Sequence, residues 1–128
     1  LGRTPKTRQA FREEASMQLV ERWLAGQRDA VRSELASDAG RFKTDLIAML
    51  GYYQFQAATD DAIRRQALSI MELAAPHMAH PQFRLGMAQA YAKLGEREQA
   101  RNLLDALLAE KPDLAEARAL RDGLAASR

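Results

Sequence analysis

The chain has 128 residues, 25 of them alanine, with no cysteine and a formal charge of +2. That length supports one domain with its own core, the missing cysteines exclude disulfides and thiolate metal sites, and the longest mostly apolar run, Leu46 to Tyr53, is far too short to span a membrane. The charge is uneven: residues 1–12 hold Arg3, Lys6, Arg8 and Arg12 and no acid, so residues 13–128 are near neutral, which argues against nucleic-acid binding.

Apolar residues recur at helical spacing along the chain, and no alternating run of strand length interrupts them, so the class is all-α. A first helix is expected from Lys6 to Ala25, with Phe11, Ala15, Leu19, Val20, Trp23 and Leu24 on its inner stripe and Gly26 breaking it. A short second helix places Val31 and Leu35 inward and ends near Gly40, read as a left-handed C-terminal residue. The third helix spans Arg41 to Ala58. Thr59 or Asp60 caps the fourth, whose inward residues are Ile63, Ala67, Ile70 and Met71, and Pro76 ends it. The fifth runs from Pro81, a proline suited to the first helical position, to Leu94. Gly95 suits a tight turn, the sixth helix runs from Glu96 to Glu110, and Asp113 with Glu116 forms a capping-box start for a seventh carrying Ala117, Leu120 and Leu124.

One segment carries more information than periodicity. It reads Met87-Ala88-x-x-Tyr91-x-x-x-Gly95-x-x-x-x-Ala100-x-x-x-Leu104-x-x-Leu107-x-x-x-x-Pro112. Ala100 is small so that the helix near Ala88 can come close, and Tyr91 fills the volume between the two. The pattern resembles the tetratricopeptide repeat, a 34-residue helix-turn-helix unit that stacks into a solenoid. Ile47, Leu50 and Gly51 match the same family's pattern on a first helix, although Gln54 stands where an aromatic is expected and Phe55 lies beside it. Arg84 stands where the family often has tryptophan. The turn positions Gly26, Thr59 and Gly95 lie 33 and 36 residues apart, bracketing the repeat length. The expectation is one domain over residues 1–128, a tetratricopeptide-like α-α superhelix of three helix pairs (6–40, 41–76, 81–112) with a C-terminal cap helix, 113–126. A cap of this kind covers the stacking face of the last repeat.

The resemblance implies a protein–protein interaction module, a scaffold or adaptor that takes a partner segment in its concave groove. The first helix of each pair lines that groove, which makes Tyr52, Tyr53, Leu85 and Gln89 the candidate partner-binding residues. In the cluster Tyr52-Tyr53-x-Phe55, consecutive helix positions 100° apart cannot all face one core, so at least one tyrosine is expected in the groove. Some family members grip a terminal carboxylate with cationic side chains. The matching positions here are Gln82, Leu85, Gly86 and Gln89, with Asp45, Ala48 and Tyr52 in the preceding repeat. None is cationic, so no such clamp is implied, and the groove suits a helix or an extended apolar peptide.

No catalytic, cofactor-binding or metal-binding residues are assigned, and the chain is not expected to be an enzyme. His77 and His80 are the only histidines and share one proline-flanked loop with no third ligand nearby. Gly26 and Gly95 are isolated turn glycines, not a phosphate-binding loop. A competing reading makes the chain the accessory domain of a larger enzyme or of a membrane-associated secretion or assembly protein. It draws on the basic leader and on a start at Leu1 rather than methionine, which fits a fragment whose targeting segment or anchor lies upstream. The compartment stays open between cytoplasm and periplasm. A third expectation is self-association through an N-terminal face around Phe11 and Trp23. The 15 arginines against 4 lysines, with abundant alanine, point to a GC-rich bacterial source.

Overall fold

The computed structural model describes residues 7–126, and these residues form seven α-helices and no strand. The helices are α1 (Arg8–Leu24), α2 (Arg28–Ser37), α3 (Thr44–Ala57), α4 (Asp61–Ala74), α5 (Pro81–Lys93), α6 (Arg97–Glu110) and α7 (Ala115–Ala126). They stack as three consecutive pairs, with α7 packed on the last.

Local chemistry sets most boundaries. Thr7 caps α1, its Oγ1 accepting from the Ala10 N–H at 3.0 Å. Asp60 caps α4 by accepting from the Ile63 N–H at 2.9 Å. Two of the three hairpins turn in the same way. Gly26 sits at φ +98° and Gly95 at φ +79°, and these are the positive-φ residues of the described chain. At each, the glycine N–H bonds back three residues and the next N–H bonds back five: Gly26 to Trp23 and Gln27 to Arg22, Gly95 to Ala92 and Glu96 to Tyr91. This is the Schellman closure, which needs a left-handed residue after the last helical turn.

Four expectations are corrected. Gly40 is not left-handed: α2 ends at Ser37, and residues Ala39–Arg41 form a 3-10 turn closed by the Phe42 N–H bonding to the Ala39 carbonyl at 3.1 Å. That turn swings Phe42 into the core with an extended backbone and delays α3 until Thr44. Ile63 is 44% exposed, because it lies on the first turn of α4, where the inward stripe has run past the core; Leu68 and Leu73 are buried further along. Asp113 lies two residues ahead of α7, and it is the Leu114 carbonyl that receives the Arg118 N–H, so the expected capping box is displaced. Phe11 and Leu24, read as core, are 58% and 38% exposed. The Lys6 start expected for the first helix lies outside the described residues.

The core is a chain of three clusters along the stack. The first gathers Leu19, Trp23, Val31, Leu35, Phe42, Ile47 and Ile70. The second joins Phe55 and Met71 to Met87 and Leu94. The third packs Leu85, Ala88, Ala100, Leu104 and Leu107 against Ala117 and Leu124 of α7. Phe83 touches the first two clusters and Tyr91 the last two, so neighbouring repeats share buried contacts, as a solenoid requires. Trp23 is fully buried and its indole N–H donates to the Ser69 carbonyl at 3.0 Å and to Ser69 Oγ at 2.8 Å. It therefore contributes nothing to an exposed N-terminal pairing face, and that expectation loses one of its two anchors. Between α3 and α4 the backbones approach so closely that a Cβ at Gly51 would lie 2.9 Å from both the Ala67 carbonyl oxygen and the Met71 nitrogen.

Candidate functional site

The first helices of the second and third pairs, α3 and α5, bound a groove of about 510 Å³. Its walls follow from helical spacing. Asp45, Ala48, Met49, Tyr52 and Tyr53 come from one side of α3, three and four residues apart. Gln82, Phe83, Leu85, Gly86 and Gln89 come from α5 in the same way. Met78 and His80 join the lining from the preceding loop, and Glu116 from the first turn of α7.

The aromatic cluster divides as its geometry demands. Phe55 turns into the second core cluster. Tyr52 is half-buried and lies against Gly86, where an added Cβ would come within 3.2 Å of the ring. Glycine at that position therefore gives the tyrosine ring its seat. Tyr53 stands 60% exposed, and the two rings meet edge to face with centroids 5.5 Å apart. Leu85 is only 2% exposed and belongs to the third cluster, so it forms floor rather than a projecting anchor. Gln89 is exposed at the rim.

All four sequence-derived candidates, Tyr52, Tyr53, Leu85 and Gln89, thus meet in one groove. So do the other positions where a carboxylate clamp would sit: Gln82, Gly86, Asp45 and Ala48. Among the described residues no lysine or arginine lines the groove. Sequence reasoning missed Glu116 and His80. The first enters only because α7 folds back beside α5, a contact between helices that no local pattern announces. His80 caps α5, its Nδ1 accepting from the Gln82 N–H at 3.2 Å, and a histidine one residue before Pro81 was the available signal.

Elsewhere, a wider groove of about 890 Å³ lies between α1 and the turn after α2, with Arg8, Phe11, Arg12 and Arg41 among its walls. On another surface the Tyr91 hydroxyl donates to Glu72 Oε2 at 2.9 Å. Burial and the adjacent Glu72 carboxylate hold that phenol above its ordinary range. Among the described residues no three potential metal ligands stand together, and no helix is long and apolar enough to cross a membrane.

The family model for the tetratricopeptide repeat matches residues 64–124, from α4 through α7. Residues 64–124, a little under half of the chain, thus carry the tetratricopeptide repeat signature. Comparison with curated proteins and with solved structures finds no match. Tetratricopeptide repeats generally mediate protein–protein interaction and are typically non-catalytic.

Proposed function

We propose that the chain is an interaction module, a scaffold or adaptor, whose three helix pairs and cap act as one domain and take a partner segment in the groove between α3 and α5. The observation that carries this reading is the pairing of an exposed Tyr53 with a half-buried Tyr52 over an apolar floor. Aromatic side chains set into such a depression are the usual anchors of protein interfaces. The groove has about the volume that holds one compact ligand. It therefore grips a few anchor side chains of a segment, not the whole of a helix.

The test separates binding from folding. Tyr53→Ala removes a largely exposed ring, so its melting temperature should match the parent's. Its affinity for a partner that the parent captures should fall by about 2 kcal/mol or more, roughly thirtyfold. A pull-down from the native source followed by titration of the purified partner reads this. Undiminished binding by Tyr53→Ala would place recognition elsewhere, and the wider groove at Phe11 would be the next surface to vary.

A further inference from the structure

The groove has a charge as well as a shape. Asp45 lies in the first turn of α3 and Glu116 in the first turn of α7, and both are exposed and line the same depression. Neither has a cationic partner among the described residues, whereas Glu13, Glu34, Asp61, Glu96, Glu110 and Asp105 are each paired with a lysine or arginine. Among the described residues no lysine or arginine lines the groove to oppose them, and His80 is its one basic side chain. The Tyr52 and Tyr53 rings, whose faces also attract cations, line the same groove. Met49, Met78 and Phe83 supply adaptable apolar surface beside them.

We propose that the occupant of this groove is a cationic amphipathic peptide segment, with an apolar anchor side chain seated over Leu85 and a neighbouring lysine or arginine facing Asp45, Glu116 and the tyrosine pair. This rests on the reading of the groove as the partner site and adds the partner's chemistry to it. An acidic segment, or one presenting a terminal carboxylate, meets like charge here and finds no opposing lysine or arginine among the described residues. Because both carboxylates are exposed, each contributes modestly, about two- to fivefold in affinity, and its share shrinks with salt. The groove thus selects among partners by charge while apolar and aromatic contact supplies most of the binding.

A random twelve-residue peptide library displayed on phage, selected on the immobilised domain, tests this. Peptides that lose binding to Tyr53→Ala define the groove set. That set should be enriched in lysine and arginine next to large apolar residues and depleted in aspartate and glutamate. Against Asp45→Asn/Glu116→Gln, whose fold is checked by its circular dichroism melt, the selected basic peptides should weaken by about two- to fivefold for each carboxylate removed. Neutral variants of the same peptides should bind both proteins equally. A groove set that is neutral or acidic, or a basic preference that survives the double variant, overturns the charge proposal and leaves the groove standing. Selected peptides that bind Tyr53→Ala as well as the parent, or no enrichment at all, overturn the groove and with it the proposal.

Discussion

The first and third hairpins turn through the same glycine closure, yet their helices are held by different means. In α5–α6 the helices meet through small residues: Ala88 and Ala100 are fully buried in one cluster, and Tyr91 packs against that cluster. In α1–α2 the organising residue is large. Trp23 is buried with Arg28 and Arg32 stacked over its ring at 4.7 and 4.9 Å, and its indole N–H reaches Ser69 on α4, 46 residues away. Ser16 adds a second long-range tie, donating to the Arg12 carbonyl and accepting the Lys43 N–H at the entrance to α3. The third hairpin therefore holds together by contacts within the pair, while the first depends on the next repeat. A turn is a local decision, whereas pair cohesion depends on what lies between the helices. The family match lies over residues 64–124, which contain the third pair and leave out the first.

The strongest test of this contrast is Trp23→Ala, which should cost about 3–5 kcal/mol by leaving a large cavity. That is a large part of the roughly 5–15 kcal/mol that stabilises a domain. Denaturant unfolding measures the loss and hydrogen exchange locates it. Amides of α1 and α2 should lose protection while those of α5 and α6 keep theirs; uniform loss would erase the distinction between the two regions. Ala100→Leu probes the other side. Forcing a larger side chain between α5 and α6 should cost about 1–3 kcal/mol, with exchange rising in α5 to α7. A variant that melts like the parent would show that the close approach at Ala88 does not hold the pair.

The smallest expected effect sharpens the role of Tyr91 as the filler of the third pair. Its phenol titrates above the ordinary value in the folded chain, through burial first and the Glu72 carboxylate second. Above the unfolded value of about pH 10 the unfolded chain releases a proton that the folded chain retains, so stability present below that pH is lost as pH rises. Urea unfolding at about pH 9 and about pH 10.5 should show a fall attributable to Tyr91 of less than about 1 kcal/mol, the ring being half-exposed. Tyr91→Phe should remove that part of the slope. An unchanged slope would mean that neither burial nor Glu72 holds the phenol above its ordinary value.

Where the sequence could be read, a single residue carried its own backbone demand. Gly26 and Gly95 were legible as turns because positive φ is nearly free only for glycine, and Asp60 as a cap because its side chain reaches an N–H three residues on. Gly40 shows the limit of the same rule. Glycine permits a left-handed conformation without requiring it, and here the need to bury Phe42 turned the chain into a 3-10 turn instead. Helical periodicity placed Leu19, Val31, Ile47 and Leu104 inside, but it also placed Phe11 and Ile63 there, and near the starts of their helices both stand largely exposed. The candidate site followed the same division. Tyr52, Tyr53, Leu85 and Gln89 were within reach of a repeat pattern, since it states which helix faces the groove.

The amino-acid order by itself determined the helices, two of the three hairpin turns and the small-residue contact of the last pair, because those depend on interactions a few residues apart. Only the tertiary structure decided which tyrosine is exposed and which is half-buried, that Leu85 is floor, and that Glu116 of α7 shares a groove with Asp45 of α3. It also decided that Trp23 serves the interior and not a dimer face. These outcomes depend on how one helix pair is rotated against the next. That rotation is fixed by packing between side chains 30 to 70 positions apart, which no local spacing encodes.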